Sequence, residues 1–272
     1  MMPNFGYHDE RIESLFYVRL NQIAGFRAPM IESLLLTTVG VFTFHKQQPL
    51  TNASGFFFAR DERLFLATSR HVMVDEANQH FPDRIQIELH TDPENIAQST
   101  GFSIPLFQKG KSVWRQGLDS GGGIDVAVIE IDRSALPETT VYQAFTPEHL
   151  RDPNDPVEVG TPLLVVGFPL GFHDTLHQIP VVRHAVIASS FGLRFQGQGY
   201  FLTDGRMHRG TSGAPVVMRV TERDSLQSEL PWMLLGVHSG RLDVGTRDMR
   251  IDEALGLNCA WYADILMTLT ES

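Results

Sequence analysis

Thr203-Asp204-Gly205-Arg206-Met207-His208-Arg209-Gly210-Thr211-Ser212-Gly213-Ala214-Pro215-Val216-Val217 sets a serine in a Gly-x-Ser-Gly-x-Pro turn that runs at once into an apolar strand. A serine that attacks a carbonyl needs an exposed hydroxyl and backbone N–H donors for the oxyanion it creates. Gly210 permits a sharp turn, so the N–H groups of Gly210 and Ser212 are expected to form one oxyanion hole. Gly213 leaves room beside the serine, and Pro215 fixes the exit into the strand. Taken alone, the segment also reads as an ordinary tight turn, so its meaning depends on partners elsewhere.

Two partners lie upstream. Phe65-Leu66-Ala67-Thr68-Ser69-Arg70-His71-Val72 is an apolar strand ending on a histidine, and Gly123-Ile124-Asp125-Val126-Ala127-Val128-Ile129 places an aspartate at the head of another. A seryl hydroxyl becomes nucleophilic when a neutral imidazole takes its proton, and a carboxylate must hold that imidazole in the right tautomer. Singly, His71 reads equally as a hydrogen-bonded histidine at a strand end, and Asp125 as a turn residue after Ser120-Gly121-Gly122-Gly123. Jointly, the order His71, Asp125, Ser212 is the chymotrypsin order and excludes the α/β-hydrolase and subtilisin orders for these three. Asp75, Asp119 and Asp132 lack the apolar strand context and read as solvated.

The likeness extends past these three residues. Ala53-Ser54-Gly55-Phe56-Phe57-Phe58, Ala67-Thr68-Ser69-Arg70-His71-Val72, Asp125-Val126-Ala127-Val128-Ile129 and Gly167-Phe168-Pro169-Leu170-Gly171 resemble motifs of trypsin-like serine peptidases of the bacterial type. Thr203-Asp204 before the serine turn is similar to the catalytic part of HtrA/Deg proteases, without a PDZ-sized extension. The resemblance runs from about Ser54 to Gly240. It implies an all-β fold of two six-stranded Greek-key barrels, here with an N-terminal and a C-terminal helix. Thr211, Ala214 and Arg70 depart from the common pattern; Thr211 stands where zymogen-activated animal trypsins carry an aspartate that pairs with a new N-terminus.

Three regions are expected: an extension over residues 1–28 with a helix at 9–25, a first barrel over 29–150 carrying His71 and Asp125, and a second over 151–272 carrying Ser212. In the second, strands are expected at Leu163–Val166, Val181–Ala188, Tyr200–Leu202, Ala214–Val220 and Met233–Val237, followed by a helix over Leu255–Leu269. The polar Asp152-Pro153-Asn154-Asp155-Pro156 marks the connector.

Composition narrows the class further. The 272 residues are 42% hydrophobic, ordinary for a globular chain, and no apolar run approaches the roughly 20 residues of a bilayer span. A net charge of −10 argues against nucleic-acid or anionic-membrane binding, although Arg206, Arg209, Arg219 and Arg223 raise the reading of a basic rim near Ser212 beside that of scattered surface arginines. The single cysteine, Cys259, excludes an intramolecular disulfide; with no leader-like start, this reads as a cytoplasmic protein. No cofactor or metal is expected, since His173-Asp174-Thr175-Leu176-His177 lacks the glutamate and third ligand of a zinc site.

For specificity, the resemblance assigns Met207, His238, Ser239 and Gly240 to substrate binding. Leu235-Gly236-Val237-His238-Ser239-Gly240 resembles the segment with which glutamyl endopeptidases and picornavirus-type proteases read Glu or Gln at P1. The competing reading is a structural histidine beside a pocket for a small P1 side chain. The expected partner is a peptide or protein substrate. Two alternatives stay open: a latent effector switched on by a protein partner at the N-terminal helix, and a peptide-binding module that has lost turnover.

Overall fold

The computed structural model describes residues 31–151, 156–220, 229–241 and 255–271; the helix expected at residues 9–25 lies outside them. From Thr38 onward, β-branched and aromatic residues recur between short turns, and the chain folds into strands. β1 (Thr38–His45), β2 (Gln48–Arg60), β3 (Arg63–Thr68), β4 (Arg84–His90), β5 (Ser99–Pro105), β8 (Trp114–Asp119) and β9 (Gly122–Ile131) form a seven-stranded sheet in the order β5-β4-β1-β2-β3-β9-β8. A small ribbon of β6 (Phe107–Gln108) and β7 (Lys111–Ser112) lies between β5 and β8 in sequence. Phe57, Leu64, Leu66, Ile85, Ile87 and Ile129 fill the interior of this sheet.

The second half is a closed six-stranded barrel: β10 (Pro162–Gly167), β11 (Val181–Ile187), β12 (Tyr200–Asp204), β15 (Leu257–Tyr262), β14 (Trp232–Arg241) and β13 (Pro215–Arg219), with β10 paired back to β13. The five strands expected from the sequence are present and the chymotrypsin-like all-β architecture is the observed one, with a seven-stranded sheet in place of the expected first six-stranded barrel. The sixth strand of the closed barrel corrects a second expectation. Leu257–Tyr262 is a strand, and beyond it only Ile265–Leu269 is helical among the described residues. The strand forms there because β12 and β14 both hydrogen-bond to it, and without it the barrel would be left with two open edges.

Two α-helices matter below: α1 (Arg70–Met73), directly after β3, and α2 (Ile265–Leu269). Residues around α2 are clasped by arginines of the first sheet. Arg60 Nη1 donates to the Met267 carbonyl at 2.6 Å, and Arg115 Nη1 donates to the carbonyls of Leu269 and Glu271. These cations meet the carbonyl end of the helix, where unpaired C=O groups and the helix dipole favour positive charge. Because charge-assisted bonds contribute about 1.5–3 kcal/mol, Arg60→Ala is expected to lower Tm by a few degrees, at about 2–4 °C per kcal/mol for a chain of this size. An unchanged thermal transition would show that the clasp carries no stability.

Candidate active site

Antiparallel register brings His71 and Asp125 together. Thr68, the last residue of β3, pairs with Ala127 of β9, so the chain leaving β3 for α1 passes beside Asp125. The Asp125 carboxylate then accepts three hydrogen bonds. Oδ1 takes the His71 backbone N–H at 2.8 Å, while Oδ2 takes His71 Nδ1–H at 2.7 Å and the Ser239 hydroxyl at 2.5 Å. A carboxylate only accepts, so Nδ1 carries the proton and Nε2 keeps its lone pair. Burial alone lowers the pKa of His71, but the hydrogen bond and charge of Asp125 outweigh it, so the imidazole titrates above its ordinary 6.5.

Ser212 sits in the turn between β12 and β13. Two glycines there have left-handed backbones, Gly210 at φ 91° and Gly213 at φ 84°. A Cβ on Gly213 would overlap the Ser54 carbonyl and the Thr68 hydroxyl, so the turn lies against the first sheet at closest approach. The Ser212 carbonyl accepts from Ser54 N–H at 2.9 Å, and Gly213 N–H donates to the His238 carbonyl at 2.7 Å. Among the described residues, the N–H groups of Gly210 and Ser212 donate to no protein acceptor, as an oxyanion hole requires. Thr211 is buried and its hydroxyl donates to the His208 carbonyl at 2.6 Å, so this position is satisfied locally without an ion pair.

A β-bulge between His238 and Gly240 turns Ser239 out of the β14–β15 ladder and into the site. Its hydroxyl holds Asp125, and its carbonyl accepts the Ser212 hydroxyl at 2.9 Å. Ser212, Ser239, Asp125 and His71 are thus joined in one hydrogen-bonded chain. In this arrangement the seryl hydroxyl donates to the Ser239 carbonyl rather than to His71. Sequence reading placed Ser239 among substrate contacts; its link to Asp125, 114 residues away, had no local signal.

The remaining candidates divide. β13 begins opposite Val237, so among the described residues β15 is the one strand paired with β14 from Ser239 to Arg241. A Cβ on Gly240 would meet nothing within 4 Å. Met207 is buried among Ala185, Phe201, Val216, Leu235 and Ala260, so it belongs to the packed interior. His238 is 2% exposed and its Nδ1 has no partner. It faces Ala260 across β15, and Thr203 faces Asn258 two residues along, so all four side chains point to the same interior face. The Thr203 hydroxyl is likewise buried without a partner. Burial, reinforced by the charge of His71, pushes the His238 imidazole down to about 4, so it is neutral near pH 7.

Of the basic rim, Arg206, Arg209 and Arg219 are exposed, Arg219 with its guanidinium over the Trp232 ring at 5.4 Å, and Arg223 falls outside the described residues. Of the paired histidines, His173 bonds the Gly171 carbonyl and His177 bonds Asp174.

Against models of protein families, residues 53–222 match the trypsin-like peptidase domain. The match covers more than half of the chain, which belongs to this family and is a serine peptidase by that membership. Among solved structures, the chain is similar to a scabies mite inactivated protease paralogue, S-I1, at 15% identity and a TM-score of 0.51, covering 90% of this chain and 96% of that one. It is also similar to Rv3671c of M. tuberculosis H37Rv in an inactive form, at 13% identity and a TM-score of 0.46, with 89% of each chain covered. The serine endoprotease of Yersinia pestis matches at 16% identity and a TM-score of 0.48, covering 89% of this chain but 66% of that one. At 15% identity the likeness to the mite paralogue concerns the fold. Comparison with curated proteins found no match.

Proposed function

We propose that the chain is a serine endopeptidase in which Ser212 attacks the peptide carbonyl, His71 takes and returns the proton, and Asp125 holds His71. The observation that carries this reading is the single hydrogen-bonded chain from Ser212 through Ser239 and Asp125 to His71. The amides of Gly210 and Ser212 hold the oxyanion, and the side of Ser239–Arg241 away from β15 takes the substrate backbone as an added strand. When a substrate amide competes for the Ser239 carbonyl, the Ser212 hydroxyl is released to turn toward Nε2 of His71. Collapse of the tetrahedral adduct expels the amine, which receives the proton from His71, and water then hydrolyses the acyl-enzyme by the same steps. A lone cysteine, raised to about 11 by burial, fits a reducing cytosol as the working compartment.

A fluorophosphonate probe is expected to label the purified chain covalently. Absence of labelling in the folded protein would defeat the peptidase reading and favour the binding-module or partner-activated alternatives, which addition of a partner then separates.

For P1, the same proposal assigns His238 and Thr203 to recognition of Glu or Gln. Each carries a buried polar atom without a partner, a condition that costs about 1–3 kcal/mol until something bonds it. Neutral His238 donates through one nitrogen to a carboxylate or amide oxygen. His238→Val is expected to lower the Glu/Gln preference in a peptide library by about 10- to 100-fold. Its Tm should be kept or raised, because the unpaired polar atom is gone. An unchanged cleavage profile would reject the assignment.

A further inference from the structure

Both peptide planes that flank Gly210 are held by atoms outside the nucleophile turn. The carbonyl of Arg209 accepts from Leu170 N–H at 2.6 Å. The carbonyl of Gly210 accepts from the Ser54 hydroxyl at 2.7 Å, and Ser54 Oγ in turn accepts from Phe168 N–H at 3.0 Å. Ser54 is fully buried in β2, on the first sheet, whereas Phe168 and Leu170 follow β10 of the second barrel. Three segments distant in sequence therefore meet at one hydroxyl.

The close approach is built into the backbone. A Cβ on Gly167 would lie 2.6 Å from Ser54 Oγ, one on Gly213 would overlap the Ser54 carbonyl, and one on Gly210 would overlap the Phe168 carbonyl. The Leu170 backbone takes φ 55° and ψ 22°, a left-handed conformation that an ordinary side chain adopts at a cost. Its side chain is 69% exposed and gains little burial there. What that conformation secures is the N–H bond to Arg209.

In a trans peptide the C=O and the following N–H point in opposite directions. Holding the Arg209 carbonyl toward Leu170 therefore directs the Gly210 N–H the other way. Holding the Gly210 carbonyl on Ser54 stops the next peptide from rotating to compensate. We propose that Ser54 is a positioning residue for the oxyanion hole: its hydroxyl, bridging Phe168 N–H and the Gly210 carbonyl across the two sheets, locks the peptide after Gly210 and so keeps the Gly210 N–H in the direction that the Arg209–Leu170 bond gives it. Ser54 touches no reacting atom. It acts through the Gly210 peptide, and this inference rests on the peptidase reading for its effect on rate.

A residue that aims an oxyanion donor should change transition-state binding more than ground-state binding. Steady-state kinetics of Ser54→Ala on a peptide ester, beside wild type, is expected to show kcat reduced about 10- to 100-fold, below the 10²–10³ lost when a donor is removed outright, with KM within about twofold. Affinity for a peptide aldehyde, whose adduct oxygen occupies the hole, should fall by the same factor. Ser54→Cys, nearly isosteric with a weak S–H donor, should fall between the two and carries the test if Ser54→Ala does not fold. If kcat and aldehyde affinity stay within twofold of wild type, or if KM absorbs the whole change, the positioning role is overturned. Should wild type itself neither turn over ester nor take the fluorophosphonate, the peptidase reading fails separately. The positioning role is then decided by the Gly210 amide resonance in NMR spectra, which moves in Ser54→Ala if the hydroxyl orients that peptide and stays in place if it does not.

Discussion

Ser212→Ala is expected to lose about 10⁶-fold in kcat on a peptide substrate, the scale seen when a triad nucleophile is removed, while its thermal unfolding stays close to that of wild type. The second half of this expectation follows from the structure. The Ser212 side chain makes one hydrogen bond, to the Ser239 carbonyl, and Ser212's contribution to the inter-sheet contact runs through its backbone carbonyl to Ser54. Alanine keeps that backbone bond. A large loss of stability would show that the hydroxyl is structural, and retained turnover would remove Ser212 from the mechanism.

Asp125→Asn is expected to reduce kcat/KM by about 10⁴-fold and to move its pH dependence. The base must be neutral to accept a proton, so the rate rises with pH through the pKa of His71. In the wild type that inflection lies above 6.5, because the hydrogen bond and charge of Asp125 outweigh burial. With asparagine both contributions go and burial remains, so the residual activity should titrate at lower pH. Asparagine also offers a donor as well as an acceptor and no longer dictates which ring nitrogen carries hydrogen. A pH–rate profile over the acid limb decides the matter: an inflection left in place in the variant would mean that Asp125 does not set the basicity of His71.

The parts of this molecule written in short runs could be read directly. In the sequence His71 closes an apolar run while Asp125 and Ser212 each precede one, and left-handed glycines beside Ser212 mark its turn. The strand β15 was legible only in the wrong period. Leu255, Cys259, Tyr262, Leu266 and Leu269 recur at helical spacing, yet Leu257–Tyr262 pairs with β12 and β14, because closing a barrel outweighs local preference. The links made by Ser54 to Gly210 and by Ser239 to Asp125 span 156 and 114 residues. A hydroxyl reveals nothing of its acceptor at that distance, so these bonds emerge only once the two sheets have met.

The arginine clasp and β15 have a consequence for how the chain comes into being. A polypeptide leaves the ribosome from its N-terminus, so His71, Asp125 and Ser212 all emerge before the strand that closes the second barrel and before the carbonyls of Met267, Leu269 and Glu271 that Arg60 and Arg115 grip. A nascent chain carrying all three of these residues still lacks the strand against which β12 and β14 pair. The barrel that carries Ser212 therefore closes only after Leu257–Tyr262 has been made, some time after Ser212 itself has emerged.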